Sequence, residues 1–537
     1  MSPLRLPPRT LKLLWDAHSA AGVAFGVGLF VIFYCGAFSL PRNDLLSWAD
    51  PELRSQGTPG YLSVEQAVTP ILDETPPVQG ADVMIVHPFS GRPYYWLRYA
   101  TSPTDTLDRW VSATTGTTLP PRGRSKLSEI PYKLHYFAQA GIGGRLLSGL
   151  LGVVLLFAVV SGLLIHLRKL PRDWHTVRFR SGLKPALVDV HAVLGVIGIP
   201  FTVMFAVTGA FFSLLIIILG PVVLAVFGGE EARLDEALTG VELPAVEAAG
   251  SPASMLPPDE LLAALPPAWD GAEIQRLDYH HWGDANAYAV VDGGIPETLA
   301  SGGRAVLAAT TGEVLASRGP HPGDGTALGR TSSALTTLHF VHFAGRGIDA
   351  LFFLLTLAAS AVILTGNVLW LVERRSKDPQ ATPWAHRLLA RSTIGVCVGL
   401  VAAIPLLMVG SRIIPLDVAG RQGWEDGIFF GGWAILSALG FVGASPLVAA
   451  RRLLVVAAVL SLAVPVANGV GTGAWPWVTP GRGQWGVFSV DLGMALSGIA
   501  LAGIATWLPT GTKKREQSRR EAERPGVVPA DMKASRG

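Results

Sequence analysis

Long apolar runs alternate with polar segments along this chain of 537 residues. Runs of about twenty apolar residues can satisfy their backbone hydrogen bonds in lipid only by forming helices. We predict eight spanning helices, near residues 20–40, 146–166, 192–218, 349–372, 393–411, 428–449, 453–470 and 487–508. The pattern therefore predicts an all-α polytopic membrane protein that carries additional domains outside the bilayer.

Two long polar segments, about 41–134 and 225–335, interrupt the apolar runs. Each contains strand-like alternation that ends in a similar turn, "DRWVSATTGTTL" at 108–119 and "RAVLAATTGEVL" at 304–315. Gly116 and Gly312 are expected to supply the positive φ of a hairpin turn. Each segment is predicted to form a small α+β domain.

Basic residues set the expected orientation, because short cytoplasmic loops concentrate Lys and Arg. The connections "HLRKLPRDWHTVRFRSGLKP" and "ERRSK", the pair Arg451–Arg452 and the tail "KKREQSRR" all fall on one side of an eight-helix topology. Both termini are then cytoplasmic, and the two polar segments lie outside. With a net charge of +3 and no basic patch interleaved with aromatic residues, nucleic acid is not an expected partner.

The first four helices repeat a unit of helix, outside domain and helix. "WDAHSAAGVAFGV" opens the first helix and "LVDVHAVLGVIGI" opens the third, while "LHYFAQAGIGGRLLSGLLG" leads into the second and "LHFVHFAGRGIDALFFLL" into the fourth. The last four helices, about 392–508, show no such repeat.

The repeat places histidines in pairs at matched depths. His18 and His191 begin helices on the inner side, and His135 and His339 begin helices on the outer side. Two imidazoles that face each other in a helical bundle are a common way to bind the iron of a b-type haem. We expect two such haems, one above the other. Small residues nearby allow close approach: Gly22, Gly26, Gly141, Gly144, Gly195, Gly198 and Gly345.

Other histidines offer alternatives. His342 lies one turn from His339 and could replace it as ligand or donate a hydrogen bond to a haem propionate. His166 could ligate the inner haem, although its basic neighbours better suit a headgroup or propionate contact. The histidines outside the membrane are expected to have no special role. Cys35 and Cys397 are expected to be small buried hydrophobic residues.

These motifs resemble those of the PepSY-associated transmembrane family, whose members include bacterial inner-membrane ferric-siderophore reductases. The resemblance covers about 12–375. It implies a helix at 12–40, periplasmic PepSY-like domains at 41–134 and 225–335, two helices and a basic loop at 135–224, and a fourth helix at 336–375. It also assigns four axial haem ligands: His18, His135, His191 and His339. The helices at 392–508 and the basic tail at 509–537 go beyond it.

The expected function is transmembrane di-haem electron transfer that reduces a ferric siderophore, or another ferric chelate, outside the membrane. No G-x-G-x-x-G motif follows a predicted strand, so electrons are expected from a cytoplasmic reductant or membrane quinol. Two alternatives remain: a haem-free PepSY-domain scaffold or regulator of peptidases, and a transporter with duplicated halves.

Overall fold

The computed structural model describes residues 6–54, 60–88, 92–119, 124–166, 177–341, 345–377, 383–443 and 445–508. Within them, seven helices are long and apolar enough to cross a membrane: Pro8–Ser39, Ala138–His166, Ile199–Phe227, Gly345–Glu373, Trp384–Ile413, Pro446–Thr472 and Trp485–Trp507. The chain is a mostly helical, multi-pass membrane protein, as predicted. Both cysteines are fully buried and unpaired.

In chain order the helices are α1 (Pro8–Ser39), α2 (Arg42–Ala49), α3 (Val64–Glu74), α4 (Glu129–His135), α5 (Gly141–His166), α6 (Leu183–Ile197), α7 (Ile199–Phe227), α8 (Glu231–Thr239), α9 (Pro258–Ala263), α10 (Ala327–Phe340), α11 (Gly345–Lys377), α12 (Trp384–Thr393), α13 (Gly399–Ile413), α14 (Arg421–Asp426), α15 (Gly432–Leu439), α16 (Pro446–Thr472) and α17 (Trp485–Trp507). The strands are β1 (Val83–Val86), β2 (Tyr94–Ala100), β3 (Thr106–Ser112), β4 (Thr118–Leu119), β5 (Glu273–His280), β6 (Tyr288–Gly294), β7 (Gly303–Ala308) and β8 (Val314–Arg318).

The sixth predicted span, 428–449, is not among the seven long apolar helices. Its helix starts with the charged residues of α14, continues through a π-helical turn and ends with α15. A side chain at Gly440 would meet the backbone of Gly395 at 2.5 Å, so only a glycine fits where this helix ends. The segment still runs antiparallel to its neighbour, because Ile428 at its start lies against Gly410 and Gly440 at its end lies against Gly395.

The two polar segments contribute four strands each to one antiparallel sheet of order β4-β3-β2-β1-β5-β6-β7-β8. The two halves meet edge to edge, since Ile85 of β1 pairs with Leu277 of β5. Gly116 and Gly312 both have positive φ, at 69° and 75°, and close the β3–β4 and β7–β8 turns as predicted. The expected pair of small domains is therefore joined through continuous strand pairing.

The sheet has one helix-covered face and one face toward the membrane helices. Alternate residues such as Ile85, Leu97 and Leu307 are fully buried beneath α3 and α9. Polar side chains lie on the opposite face, where Arg304 bonds Asp292 at 2.7 Å. We call the end of the helical bundle next to the sheet the sheet end and the opposite end the far end.

The duplicated helices form a core bundle in which α1 packs on α5 and α11, α5 on α7, and α6 on α11. Helices α13, α16 and α17 form an added bundle beside α1. A buried polar cluster joins the two at the sheet end. Trp48 Nε1 and Asn468 Nδ2 both donate to the Asp491 carboxylate at 2.8 Å, and Arg54 donates to Asn468 at 3.1 Å.

Candidate functional site

His18 of α1 and His191 of α6 face each other near the far end of the core bundle. Their ring centres are 6.3 Å apart and their ring planes make an angle of 77°. We call these two residues the far-end pair. The repeat in the sequence predicted this pairing, and the structure places the two side chains side by side.

His135 ends α4, and His339 lies in the last turn of α10, so both precede long membrane helices at the sheet end. Their ring centres are 6.2 Å apart, with an angle of 35° between the planes. Three phenylalanine rings surround His339 with centres within 5.5 Å, which gives this sheet-end pair an apolar environment: Phe205, Phe212 and Phe340.

Backbone carbonyls orient three of the four rings. His18 Nδ1 lies 3.0 Å from the carbonyl oxygen of Ala158, His191 Nδ1 lies 2.9 Å from that of Val362, and His135 Nδ1 lies 2.8 Å from that of Ile32. A carbonyl oxygen only accepts, so Nδ1 must carry the proton in each ring. The lone pair of Nε2 is then free for another partner.

His339 reaches the same state through a hydroxyl. Its Nδ1 lies 2.9 Å from Thr208 Oγ1, and that hydroxyl donates its own proton to the carbonyl of Met204 at 2.8 Å. Thr208 therefore accepts from His339, which places the imidazole proton on Nδ1 here as well. All four histidines leave Nε2 as the unprotonated nitrogen. Such an outer hydrogen bond commonly fixes the orientation of a metal-binding imidazole.

Each of the four rings lies against a glycine of a neighbouring helix. A Cβ at Gly36 would meet His135 Nδ1 at 2.8 Å, and one at Gly366 would meet His191 Cε1 at 2.8 Å. At Gly162 the contact to His18 Cε1 would be 3.2 Å, and at Gly209 the contact to His339 Cε1 would be 3.5 Å. Because glycine has no side chain, each imidazole can lie directly against the neighbouring helix.

Sequence reasoning did not identify these four glycines, although a signal was present. The same number of positions separates His18 from Gly36 as separates His191 from Gly209. Of the glycines singled out from the sequence, Gly26 does admit a close neighbour, Asn367, whereas a Cβ at Gly22 would meet nothing within 4 Å.

Strained turns follow both sheet-end histidines. Phe137, two residues after His135, has φ 53°, and Val341, two residues after His339, has φ 57°. Left-handed backbone is unusual for non-glycine residues and is a genuine outlier for a β-branched one, so surrounding contacts must impose it. Both turns redirect the chain from a short helix into a membrane helix and hold the histidine at the corner.

The geometry allows a test of whether these residues suit a haem. With bonds of roughly 2 Å from imidazole nitrogen to a first-row metal, and roughly 1 Å from that nitrogen to the ring centre, two axial ligands have ring centres about 6 Å apart. Both observed separations match this value. A haem supplies the four equatorial ligands itself, so two neutral imidazoles complete its iron. The donor sets fit.

The remaining sequence candidates are more dispersed. His342 lies outside the described residues. His166 is the last residue of α5. His280 stacks on Tyr288 and bonds Asp82 at 3.1 Å, and His386 Nε2 lies 3.1 Å from the carbonyl of Leu371. In the described part of the chain, no group of three or more His, Cys, Asp or Glu side chains could hold a bare metal ion.

A large chamber of about 1630 Å³ separates the sheet from the bundle. Its upper wall, formed by the sheet, carries polar side chains from β5 to β8, including Arg276 and Arg304. Its lower wall, formed by the helices, includes Thr336 and Phe340 of α10. The chamber exceeds the usual volume of a small-ligand pocket, about 300–1,000 Å³. It adjoins the helix that presents His339 and was not predicted from the sequence.

His87, one of the histidines outside the membrane, is buried in the sheet domain. Its ring packs against Tyr95 with centres 5.3 Å apart, and its Nε2 has no hydrogen-bond partner among the described residues. Burial lowers the pKa of His87 to about 4 from its ordinary value near 6.5. The side chain is a neutral part of the domain core.

His87 should make the protein less stable in mild acid. Between pH 6.5 and 4 the unfolded chain binds a proton that the folded domain excludes, so stability falls as pH decreases through this window. The full shift corresponds to roughly 3 kcal/mol. We expect His87→Phe to remove this part of the pH dependence, measured by unfolding of the detergent-solubilised chain at pH 7 and pH 4.5. His321→Phe, at an exposed histidine, should keep the wild-type dependence; equal slopes for both variants would contradict the assignment.

Comparison with known proteins identifies the family of the core bundle. An uncharacterized protein of Pseudomonas aeruginosa, PA4219, is 33% identical over 393 residues, a match that covers 68% of this chain and 91% of that protein. A model of the family described as PepSY-associated TM region matches residues 15–373, which include all four paired histidines and exclude α12 to α17. The chain belongs to the PepSY-associated TM region family.

Proposed function

We propose that this protein is a di-haem electron carrier of the bacterial inner membrane that reduces a ferric chelate, such as a ferric siderophore, in the chamber at the sheet end. The observation that carries the proposal is the geometry of the two histidine pairs. Their ring centres lie 6.3 and 6.2 Å apart, and all four Nδ1 atoms are engaged elsewhere.

The two pairs suit two separate groups. His135 contacts α1 at Ile32 and Gly36. At 1.5 Å per residue, these contacts lie about 20–27 Å along α1 from His18. One porphyrin cannot occupy both sites. Phe201 and Phe205 pack between the two levels with ring centres 4.7 Å apart, and Phe205 touches His339. Aromatic side chains therefore occupy part of the interval between the pairs.

The protein residues would bind, orient and enclose the groups. Haem, when bound, supplies reversible one-electron chemistry. Ile32, Ala158, Val362 and Thr208 hold the imidazole protons on Nδ1 and direct Nε2 inward. The phenylalanines around His339 exclude water at the sheet-end pair. An apolar shell of this kind affects the potential of the group it surrounds.

The chamber suits the final acceptor. A ferric chelate bound there would lie beside α10, where one electron converts Fe(III) to Fe(II). Ferrous iron is bound less tightly by the hard oxygen ligands of typical chelators, so reduction favours release. The polar and charged lining of the upper wall and the volume of about 1630 Å³ accommodate such a ligand.

Charge supports an orientation with the sheet end in the periplasm. Arg178, Lys184 and Arg451 lie at the far end, where α6 and α16 begin. Basic residues favour the cytoplasmic side of a membrane protein. The far-end pair would then face the cytoplasm, with both chain termini on that side.

Spectroscopy of the purified chain tests the proposal directly. We expect protein from haem-sufficient cells to bind about two haems per chain and to give sharp, shifted absorption bands when dithionite reduces it. The ferric protein should show two distinct low-spin electron paramagnetic resonance signals, because one pair of ring planes is nearly perpendicular and the other is not. A colourless preparation would reject haem transfer and favour the scaffold.

A further inference from the structure

The chamber continues into the bundle as an arm between α11 of the core and α17 of the added helices, which we call the slot. Residues from Phe488 to Ala500 of α17 line it. That stretch corresponds to roughly 18 Å of helix at 1.5 Å per residue. The walls of the slot are apolar: Phe353, Leu354, Leu357, Met494, Leu496 and Ala500.

The slot opens toward the surrounding lipid. Leu354 and Leu496, one on each wall, are 61% and 57% exposed. Helix α17 lies beyond residue 373, where the match to the family ends. The slot therefore exists because the added helices pack beside the core and leave a gap against α11.

The polar end of the slot carries two carboxylates and one guanidinium. Asp44, Asp349 and Arg346 line the chamber there and lie close enough for their charges to interact. Gly486 allows α17 to begin against Asp44, because a Cβ at that position would collide with the carboxylate. Burial raises the pKa of Asp44 above its usual range. This end thus has two carboxyl groups for one guanidinium.

We propose that the slot binds an isoprenoid quinol from the membrane, with its ring near Asp44 and Asp349 and its tail between α11 and α17. A quinol is neutral and has two phenolic O–H donors, which suit two carboxylate acceptors. A phospholipid headgroup brings a phosphate, which these carboxylates would repel. The apolar, lipid-exposed walls suit an isoprenoid chain.

The inference rests on the proposed function, because a quinol would be the source of electrons that the chain otherwise lacks. Oxidation of one quinol to quinone releases two protons and two electrons. The carboxylates of Asp44 and Asp349 can accept the protons and pass them to water in the chamber. Two one-electron haems match the two electrons.

Quinone content of the purified full-length chain tests the slot. Lipids extracted from the wild-type protein should contain quinone at several times the level of a detergent blank. Ala500→Trp should lower that content at least tenfold, because the indole fills the slot. The matched control is Ile499→Trp, at the adjacent position, which is 62% exposed and does not line the chamber. It should retain the wild-type quinone content.

A second measurement follows reduction of bound haem by added decylubiquinol. We expect Ala500→Trp to slow reduction at least tenfold relative to Ile499→Trp, with equal haem content and equal thermal stability. Asp44→Asn should slow reduction without emptying the slot. Haem-bearing protein without quinone, phospholipid alone in the slot, or equal rates in the two tryptophan variants would overturn the quinol site while leaving the proposed function intact. A colourless protein that still binds quinone would overturn the proposed function alone.

Discussion

Alanine in place of His18 or His191 will leave a protein with about one haem per chain, and alanine in place of His135 or His339 will remove the other haem. Each pair acts as a unit, because loss of one imidazole leaves the opposite Nε2 to bind iron alone. The spectra of the variants should therefore fall into two classes that follow the pairs. Haem per chain by pyridine haemochrome, with electron paramagnetic resonance to identify the surviving signal, measures this.

Two further variants make the histidine series more specific. His386→Ala removes a histidine near the far end that stacks on Trp370 and faces no histidine ring within the described residues, and it should retain both haems. Thr208→Val removes the acceptor of the His339 proton, and losses of about 10–100-fold in affinity are typical for such outer hydrogen bonds. It should weaken the sheet-end haem alone. Unchanged haem content in all four ligand variants would reject the assignment. Loss of haem in His342→Ala but not in His339→Ala would assign the sheet-end ligand to His342 instead.

The sequence repeat was sufficient to predict the pairs, because a duplicated helix places equivalent residues at equivalent depths. His18 and His191 occupy the same position in their repeats, so a bundle with approximate twofold symmetry brings them to one level. The repeat could not show the partners of Nδ1. Ala158 and Val362 supply backbone carbonyls, which carry no residue signature, and only the packing of the helices selects them.

Other features were missed for equally physical reasons. The pairing of β1 with β5 joins segments nearly two hundred residues apart, and alternation alone does not specify a strand's neighbour. The run at 428–449 was apolar enough to suggest a span, but the helix ends earlier, at Leu439. The chamber is a gap between the sheet and the helical bundle. Hydrophobic patterns in a sequence indicate which residues are packed, so they do not reveal a gap.

The added helices give the protein a feature that the family core does not have. Trp48, Asn468 and Asp491 join the added bundle to the core through fully buried hydrogen bonds, so the relative position of the two bundles is fixed at the sheet end. Beyond this junction the slot lies between α17 and α11. The cluster that anchors the added helices thus lies at the same end of the bundle as the chamber.

The glycines that face the histidines should respond to alanine in a graded order. Gly36→Ala and Gly366→Ala place a methyl group 2.8 Å from an imidazole ring, a distance that forces the ring or the helix to move. Overpacking of this kind costs about 1–3 kcal/mol. We expect Gly36→Ala to lose mainly the sheet-end haem and Gly366→Ala mainly the far-end haem, with a smaller effect at Gly162 and almost none at Gly209, where the contact is 3.5 Å.

Matched glycines on the same helices separate this effect from general helix packing. A Cβ at Gly22 of α1 or Gly347 of α11 would meet nothing within 4 Å. Gly22→Ala and Gly347→Ala should therefore keep both haems, although they make the same chemical change and gain the same helix propensity as Gly36→Ala and Gly366→Ala. If the four variants retain equal haem, the imidazoles do not depend on the glycine contacts. If each close-contact variant loses only the haem of its own pair, the spacing shared by the two repeats is the means by which this chain positions its ligands.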